Sequence, residues 1–171
     1  MRGRELLKFR LPLIDQNFVT MKLTTLVGSG KKIGMFTLPF LITGIMLNIL
    51  FPDFFSVNGP PESIVWISIV FLILGAINWV WSVVLIVTKI PRKELITTGP
   101  YFLVKHPLYT GAALLIFPWI GLIFNTWLGV LIGLIMYVGS RIFSLEEEQL
   151  LAKIFGKEWE DYCKKVKLPW I

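Results

Sequence analysis

Apolar residues in this chain do not recur at the period of a half-buried strand or an amphipathic helix. They come in blocks. One block runs from Ile33 to about Phe51, a second from Ile64 to about Val87 with no charge in it, and a third from Gly111 to about Phe143, charge-free up to Arg141. A helix crosses a bilayer in about 20 residues. As a single helix the third block would be roughly 50 Å long, far more than a hydrocarbon core of about 30 Å. It reads as two short helices joined by a turn at Asn125-Thr126, with Trp119 and Trp127 on either side as interfacial anchors. The pattern predicts an all-α polytopic membrane bundle of four transmembrane helices, followed by a C-terminal cytoplasmic helix.

Charge placement gives the same count independently. Of the 17 Lys and Arg, seven precede the first block, four lie between Lys89 and Lys105, and six lie from Arg141 onward. The first connection holds Asp53 and Glu62 and no basic residue, and the Asn125 turn holds none either. The positive-inside rule then places both termini and the Lys89–Lys105 loop in the cytoplasm, which requires an even number of spans. The net charge of +6 is a topology signal and an attraction to anionic lipid headgroups, with no nucleic-acid partner implied. Charged residues are only 16% of the chain and hydrophobic residues 55%, against roughly 25% charged in globular proteins.

Length fits a single domain of residues 1–171. Residues 1–32 read as a basic cytoplasmic or interfacial arm, too interrupted by Asp15, Gln16 and Asn17 for a signal core. Residues 33–88 hold the first two spans, and residues 89–171 the chemistry-bearing region. Cys163 is the only cysteine, so no internal disulfide forms and a reducing compartment is expected.

Function should lie where polar groups meet the membrane face. The first such place is residues 95–111, where Gly99-Pro100 makes a turn. Pro107 sits where a helix would begin and its missing N–H does no harm, and His106 is the only histidine. The bland alternative is a membrane-entry loop with ring anchors. The second is residues 144–156, with adjacent Glu146, Glu147 and Glu148. Ser144 and Glu147 have capping-box spacing, which predicts that a helix starts or is re-set there. Glu147 shares an apolar face with Leu151 and Phe155, whereas Glu146 fits a solvated cap. Glu160 and Asp161 precede Lys164 and Lys165 by four residues, ordinary surface-helix pairing. One His and one Cys supply no closed metal site, and Gly28-Ser29-Gly30 before Lys31-Lys32 lacks the context of a phosphate-binding loop. Residue chemistry alone reaches a cationic or zwitterionic ligand held between His106/Tyr109 and Glu147/Glu148.

At these two segments the chain resembles the isoprenylcysteine carboxyl methyltransferase and phospholipid methyltransferase superfamily. The first motif stands as Gly99-Pro100-Tyr101, then Lys105-His106-Pro107-Leu108-Tyr109-Thr110-Gly111. The second stands as Glu147-Glu148, Leu151, Phe155-Gly156, Trp159 and Tyr162. The resemblance covers residues 95–166 and implies a small bundle that transfers a methyl group from S-adenosyl-L-methionine to a lipid or lipidated substrate, without a metal. It implies cofactor contacts at His106, Pro107, Leu108, Tyr109 and Glu147, and the same motifs add Gly99, Tyr101 and Glu148 to the cofactor-binding set.

Two departures bear on the acceptor. Lys105 stands where the family usually has Arg. Phe143 stands where the isoprenylcysteine branch carries an Arg, with Arg141 two residues earlier. Arg141 and Lys105 are therefore the candidates for acceptor binding. The competing readings are a nicotinamide-dependent sterol or enone reductase, which the Trp159 to Pro169 tail resembles, and a non-catalytic membrane protein of the same fold.

Overall fold

The computed structural model describes residues 14–168, with side chains from Ser29 onward. Helix α1 (Ile14–Leu50) is continuous, so the boundary expected at residue 33 does not appear in the backbone. The onset of apolar side chains marks where lipid-facing surface begins, and polar residues upstream carry a helix equally well. Gly28 and Gly30 each disfavour it by only about 1 kcal/mol. Residues 1–13 of the expected basic arm lie outside the described residues. Within α1, Ser29–Leu50 is long and apolar enough to cross a membrane.

A short helix α2 (Pro52–Phe55) follows, then α3 (Glu62–Lys89). α3 begins after Pro60-Pro61 with Glu62 in its first turn and ends with Lys89 in its last, each complementing the helix dipole. Two 3-10 turns, Ile90–Arg92 and Gly99–Phe102, lead into α4 (Pro107–Gly111). A π-helical turn at Ala112–Ile116 joins α4 to α5 (Phe117–Ile123). The chain reverses at Asn125, which takes a left-handed φ of 56°, and enters α6 (Leu128–Phe155) and then α7 (Lys157–Lys165). Among the described residues there is no strand, only an isolated bridge between Ser56 and Thr126.

α3 and α6 are also long and apolar enough to cross a membrane. The α4–α5 unit, Pro107–Ile123, is apolar but shorter. At about 1.5 Å per residue it is roughly 25 Å long. α6 is unbroken, so the helix restart expected at Ser144 does not occur. The N–H groups that a capping box would satisfy are already in the helical ladder, and Ser144 is buried against neighbouring helices.

Small residues let these helices approach closely, as bilayer helices must without a hydrophobic driving force between them. α3 buries Ser68, Gly75 and Ser82 on one face. Both hydroxyls donate back to their own helix, Ser68 to Ile64 O and Ser82 to Asn78 O, each at 2.7 Å. α6 sets Gly129 and Gly133 against the backbone of the α5 strut and its π turn. α1 runs antiparallel along α6, with Gly44 against Leu128 and Phe36 against Phe143 at 5.8 Å between ring centroids. Lys32 pairs with Glu146 at the far end of that contact. The large apolar side chains facing outward on α1, α3 and α6 are a lipid-facing surface.

The two ends of the bundle differ. At one end, the α2 segment and the Asn125 turn interlock. Gly59 N–H donates to Asn125 Oδ1 (2.8 Å), Asn125 Nδ2 to Ser56 Oγ (3.0 Å), and Trp127 Nε1 to Phe54 O (3.0 Å). At the other end, the 90–106 segment, the end of α6 and α7 surround a cavity.

Candidate functional site

The cavity has a volume of about 890 Å³ and draws on α1, α3, the 90–106 segment, α4, α6 and α7. Small-molecule sites span roughly 300–1,000 Å³. Its walls are mostly aliphatic and aromatic, from Trp79 and Val83 of α3 to Leu151 and Phe155 of α6. The polar groups that line it include Tyr101, Lys105, His106, Tyr109 and Glu147, with Lys31, Lys93 and Glu94 also in the lining.

The His106 segment is held by three devices. Pro107 opens α4 at its first position and is fully buried. Asn78 Nδ2 in α3 donates to Pro107 O at 2.8 Å. Gly111 lets that amide reach the helix, since a Cβ there would collide with the Asn78 side chain. The π turn that follows re-aims the rest of the helix, as such bulges commonly do beside functional sites.

The adjacent glutamates have separate environments. Glu148 accepts from Lys105 Nζ at 2.7 Å through Oε2 and from His106 Nε2 at 3.2 Å through Oε1. Those side chains are 13%, 7% and 19% exposed for Lys105, His106 and Glu148, so the cluster is largely dry. Glu148 does not line the cavity. Glu147 does, and its Oε2 is buried with no hydrogen-bond partner. Ser29 of α1 lies within hydrogen-bonding reach of the Glu147 carboxyl. A buried carboxylate oxygen without a donor costs a few kcal/mol or more. An orphaned oxygen of this kind calls for a donor that the described residues do not supply, from a water or a ligand.

The C-terminal segment closes the cavity. Gly156 links α6 to α7 at φ 50°, ψ −121°, a conformation that side-chain-bearing residues resist. That turn lays Trp159, Tyr162 and Val166 in a buried cluster against Leu95, Leu151 and Phe155. Tyr162 Oη donates to Tyr101 O at 2.7 Å, and Leu168 N–H donates to Leu103 O at 2.9 Å. Burial pushes the Tyr101 phenol above its ordinary value, with the Glu147 carboxylate adding to the shift. Burial likewise raises Tyr162 and the Cys163 thiol. Both phenols stay protonated donors at neutral pH, and Cys163 is no activated nucleophile.

The residues singled out in the sequence divide clearly. Tyr101, Lys105, His106, Leu108, Tyr109 and Glu147 come together in the cavity wall. Pro107, Gly99 and Glu148 stand behind that wall; a Cβ on Gly99 would lie 3.0 Å from the Trp81 indole. Arg141 is half-buried in α6 outside the wall. Trp119 stacks on Phe71 at 4.2 Å and Trp127 packs on Phe55 at 5.0 Å. Sequence reasoning missed Ser29 and Gly30 of α1 and Asn78 of α3. The lone amide in an otherwise uncharged span was a usable signal for Asn78. Among the described residues no group of three or more His, Cys, Asp or Glu could hold a metal ion.

These features define an all-helical integral membrane protein with an acid- and aromatic-walled cavity at one end of its bundle. It belongs to the phospholipid methyltransferase family, which it matches over residues 63–158. The matched stretch runs from the start of α3 into α7 and contains the His106 segment and both glutamates. No curated protein and no solved structure matches the chain.

Proposed function

We propose that the cavity binds S-adenosyl-L-methionine and that the protein methylates a lipid-like acceptor at the cytoplasmic membrane face. The unpartnered Glu147 Oε2 in the cavity wall carries this reading. When bound, the cofactor supplies an electrophilic methyl group on a sulfonium. Glu147 offers its free oxygen to the α-ammonium or to the positive charge beside it. Tyr109 presents a ring face that stabilises a cation, and Leu108 with Tyr101 shapes the pocket around the rest. The volume leaves room for both a nucleoside-sized molecule and the reacting end of an acceptor, so that positioning supplies most of the acceleration.

The family supports a phospholipid headgroup over an isoprenylcysteine-type carboxylate, and Phe143 in place of that branch's Arg fits the same choice. An amine headgroup, with a pKa near that of lysine, must lose a proton before it attacks. His106 is the cavity base available for that task. Arg141 lies about two turns before Glu148 on one face of α6, roughly 10 Å along the axis. Its acceptor role is assigned to a lipid that extends along α6 beyond the cavity.

Topologically we assign four spans, with the α4–α5 unit as the shortest, and both termini in the cytoplasm. The one-sided distribution of Lys and Arg supports this. So does the cavity's position at the basic end of the bundle, opposite the Asn125 turn. Incubating purified protein with methyl-labelled S-adenosylmethionine and phosphatidylethanolamine vesicles tests the proposal. Label should enter the lipid with wild type and not with Glu147→Gln. Equal incorporation by both would overturn it.

A further inference from the structure

Within the largely dry Lys105–Glu148–His106 cluster, Glu148 has no direct part in the chemistry above, yet it holds both of its neighbours. Lys105 takes Oε2 of Glu148 and His106 takes Oε1. An arginine at 105 could engage both oxygens as a planar fork; a lysine is a point donor that occupies one. Glu148 is left with an acceptor for the histidine, and a carboxylate next to an ammonium remains an acceptor only.

We infer that Glu148 is a positioning residue which fixes the tautomer of His106, so that the ring presents a bare Nδ1 to the cavity as an acceptor for an ammonium N–H. In a neutral imidazole one nitrogen carries the proton and the other a lone pair, and the partner of the first decides the choice. The carboxylate requires Nε2 to hold the proton, which leaves the lone pair on Nδ1. That nitrogen is not spent on capping α4, although His106 occupies the N-cap position. The residue lines the cavity, as do Glu147 and Tyr109, and the Tyr109 ring centroid lies 6.3 Å from its own. A neutral acceptor beside the Glu147 carboxylate makes a site for a primary ammonium, which has three donors to place. The ammonium has two possible sources, the α-amino group of the bound cofactor and the headgroup of an aminolipid.

The role of the bare nitrogen in the cavity rests on the methyl-transfer reading; the tautomer itself does not. His106 is the only histidine, so the protein labelled with 15N-histidine gives one set of ring signals. Long-range proton–nitrogen spectra in mildly alkaline buffer, in lipid nanodiscs, report the tautomer directly. Wild type should show a single form, protonated at Nε2. In Glu148→Gln the amide oxygen turns to Lys105 and its NH2 faces the ring, which moves the proton to Nδ1. Adding Lys105→Met to that variant frees the amide to turn and returns the proton to Nε2. A wild-type ring protonated at Nδ1, or a mixture of tautomers, would overturn the inference without any variant having to fold.

Two ligand additions then identify the ammonium. S-adenosylhomocysteine or phosphatidylethanolamine in the nanodisc, against phosphatidylcholine, should move the Nδ1 signal. Movement with either one supports the acceptor role and names its source, and movement with neither removes it. If S-adenosylhomocysteine fails to bind while the tautomer is as stated, the cofactor reading falls and the tautomer device stands.

Discussion

The side-chain amide of Asn78, in the middle of α3, donates a 2.8 Å hydrogen bond to the carbonyl oxygen of Pro107, the first residue of α4. One turn further, Gly111 leaves the space which that amide occupies. The pair fixes the height and rotation of His106 and Tyr109 relative to α3. A typical intramolecular hydrogen bond contributes about 0.5–1.5 kcal/mol net. Asn78→Leu and Gly111→Ala should therefore each lower the unfolding temperature in detergent and weaken S-adenosylhomocysteine binding. Wild-type values of both for Asn78→Leu would show the bond to be incidental.

Glu147 and Glu148 are adjacent and predicted to fail differently. Glu147→Gln removes the charge that faces the cavity, so cofactor affinity should fall by about 2–5 kcal/mol, as for other buried charge partners. The fold should survive, because the carboxylate lacks a full set of donors in the free protein. Calorimetry on the folded variant decides the matter, and unchanged affinity would remove Glu147 from the site.

The α7 latch has a pH limit. Tyr162 must be protonated to donate to Tyr101 O, and burial raises both phenols above their ordinary value. A raised folded-state value means stability that is fully present below the unfolded pKa, about 10 for tyrosine, and lost as pH climbs through the folded value. Limited proteolysis should therefore clip the C-terminal segment faster only in strongly alkaline buffer. Tyr162→Phe, which loses about 0.5–1.5 kcal/mol, should be clipped faster at neutral pH as well. Identical clipping of variant and wild type would mean the apolar Trp159 cluster alone holds the segment.

Much of this was legible in the sequence where the signal was local. The charge-free block before Lys89 became α3, and the Asn125-Thr126 break became the reversal between α5 and α6. Tyr101, His106, Tyr109 and Glu147 met in one cavity wall. What the sequence hid depends on helices crossing. Ser29 and Gly30 reach the site only because α1 lies antiparallel on α6. The capping-box spacing of Ser144 and Glu147 is a rule for helix starts, and here it fell inside a long unbroken helix whose ladder already holds those N–H groups. The start of α1 at Ile14 was hidden because hydropathy reports where lipid begins, while the backbone ladder continues into polar sequence.

Topology is testable with cysteine labelling. In a Cys163→Ser background, a cysteine at Asn58, beside the Asn125 turn, should react with a membrane-impermeant reagent added to the outer face. A cysteine at exposed Arg92, beside the cavity, should react only from the cytoplasmic face. Reaction of both from the same side would break the four-span assignment.

The central claim, that the cavity is a methyl-donor site, is tested most directly by ligand-induced thermal stabilisation of the purified protein. S-adenosylhomocysteine and NADPH are compared under identical conditions. A ligand at 100 times its dissociation constant stabilises by about 2.7 kcal/mol. The account predicts a saturable rise in unfolding temperature with S-adenosylhomocysteine, absent in Glu147→Gln, and no rise with NADPH. Stabilisation by NADPH alone would contradict it and assign the cavity to reductase chemistry.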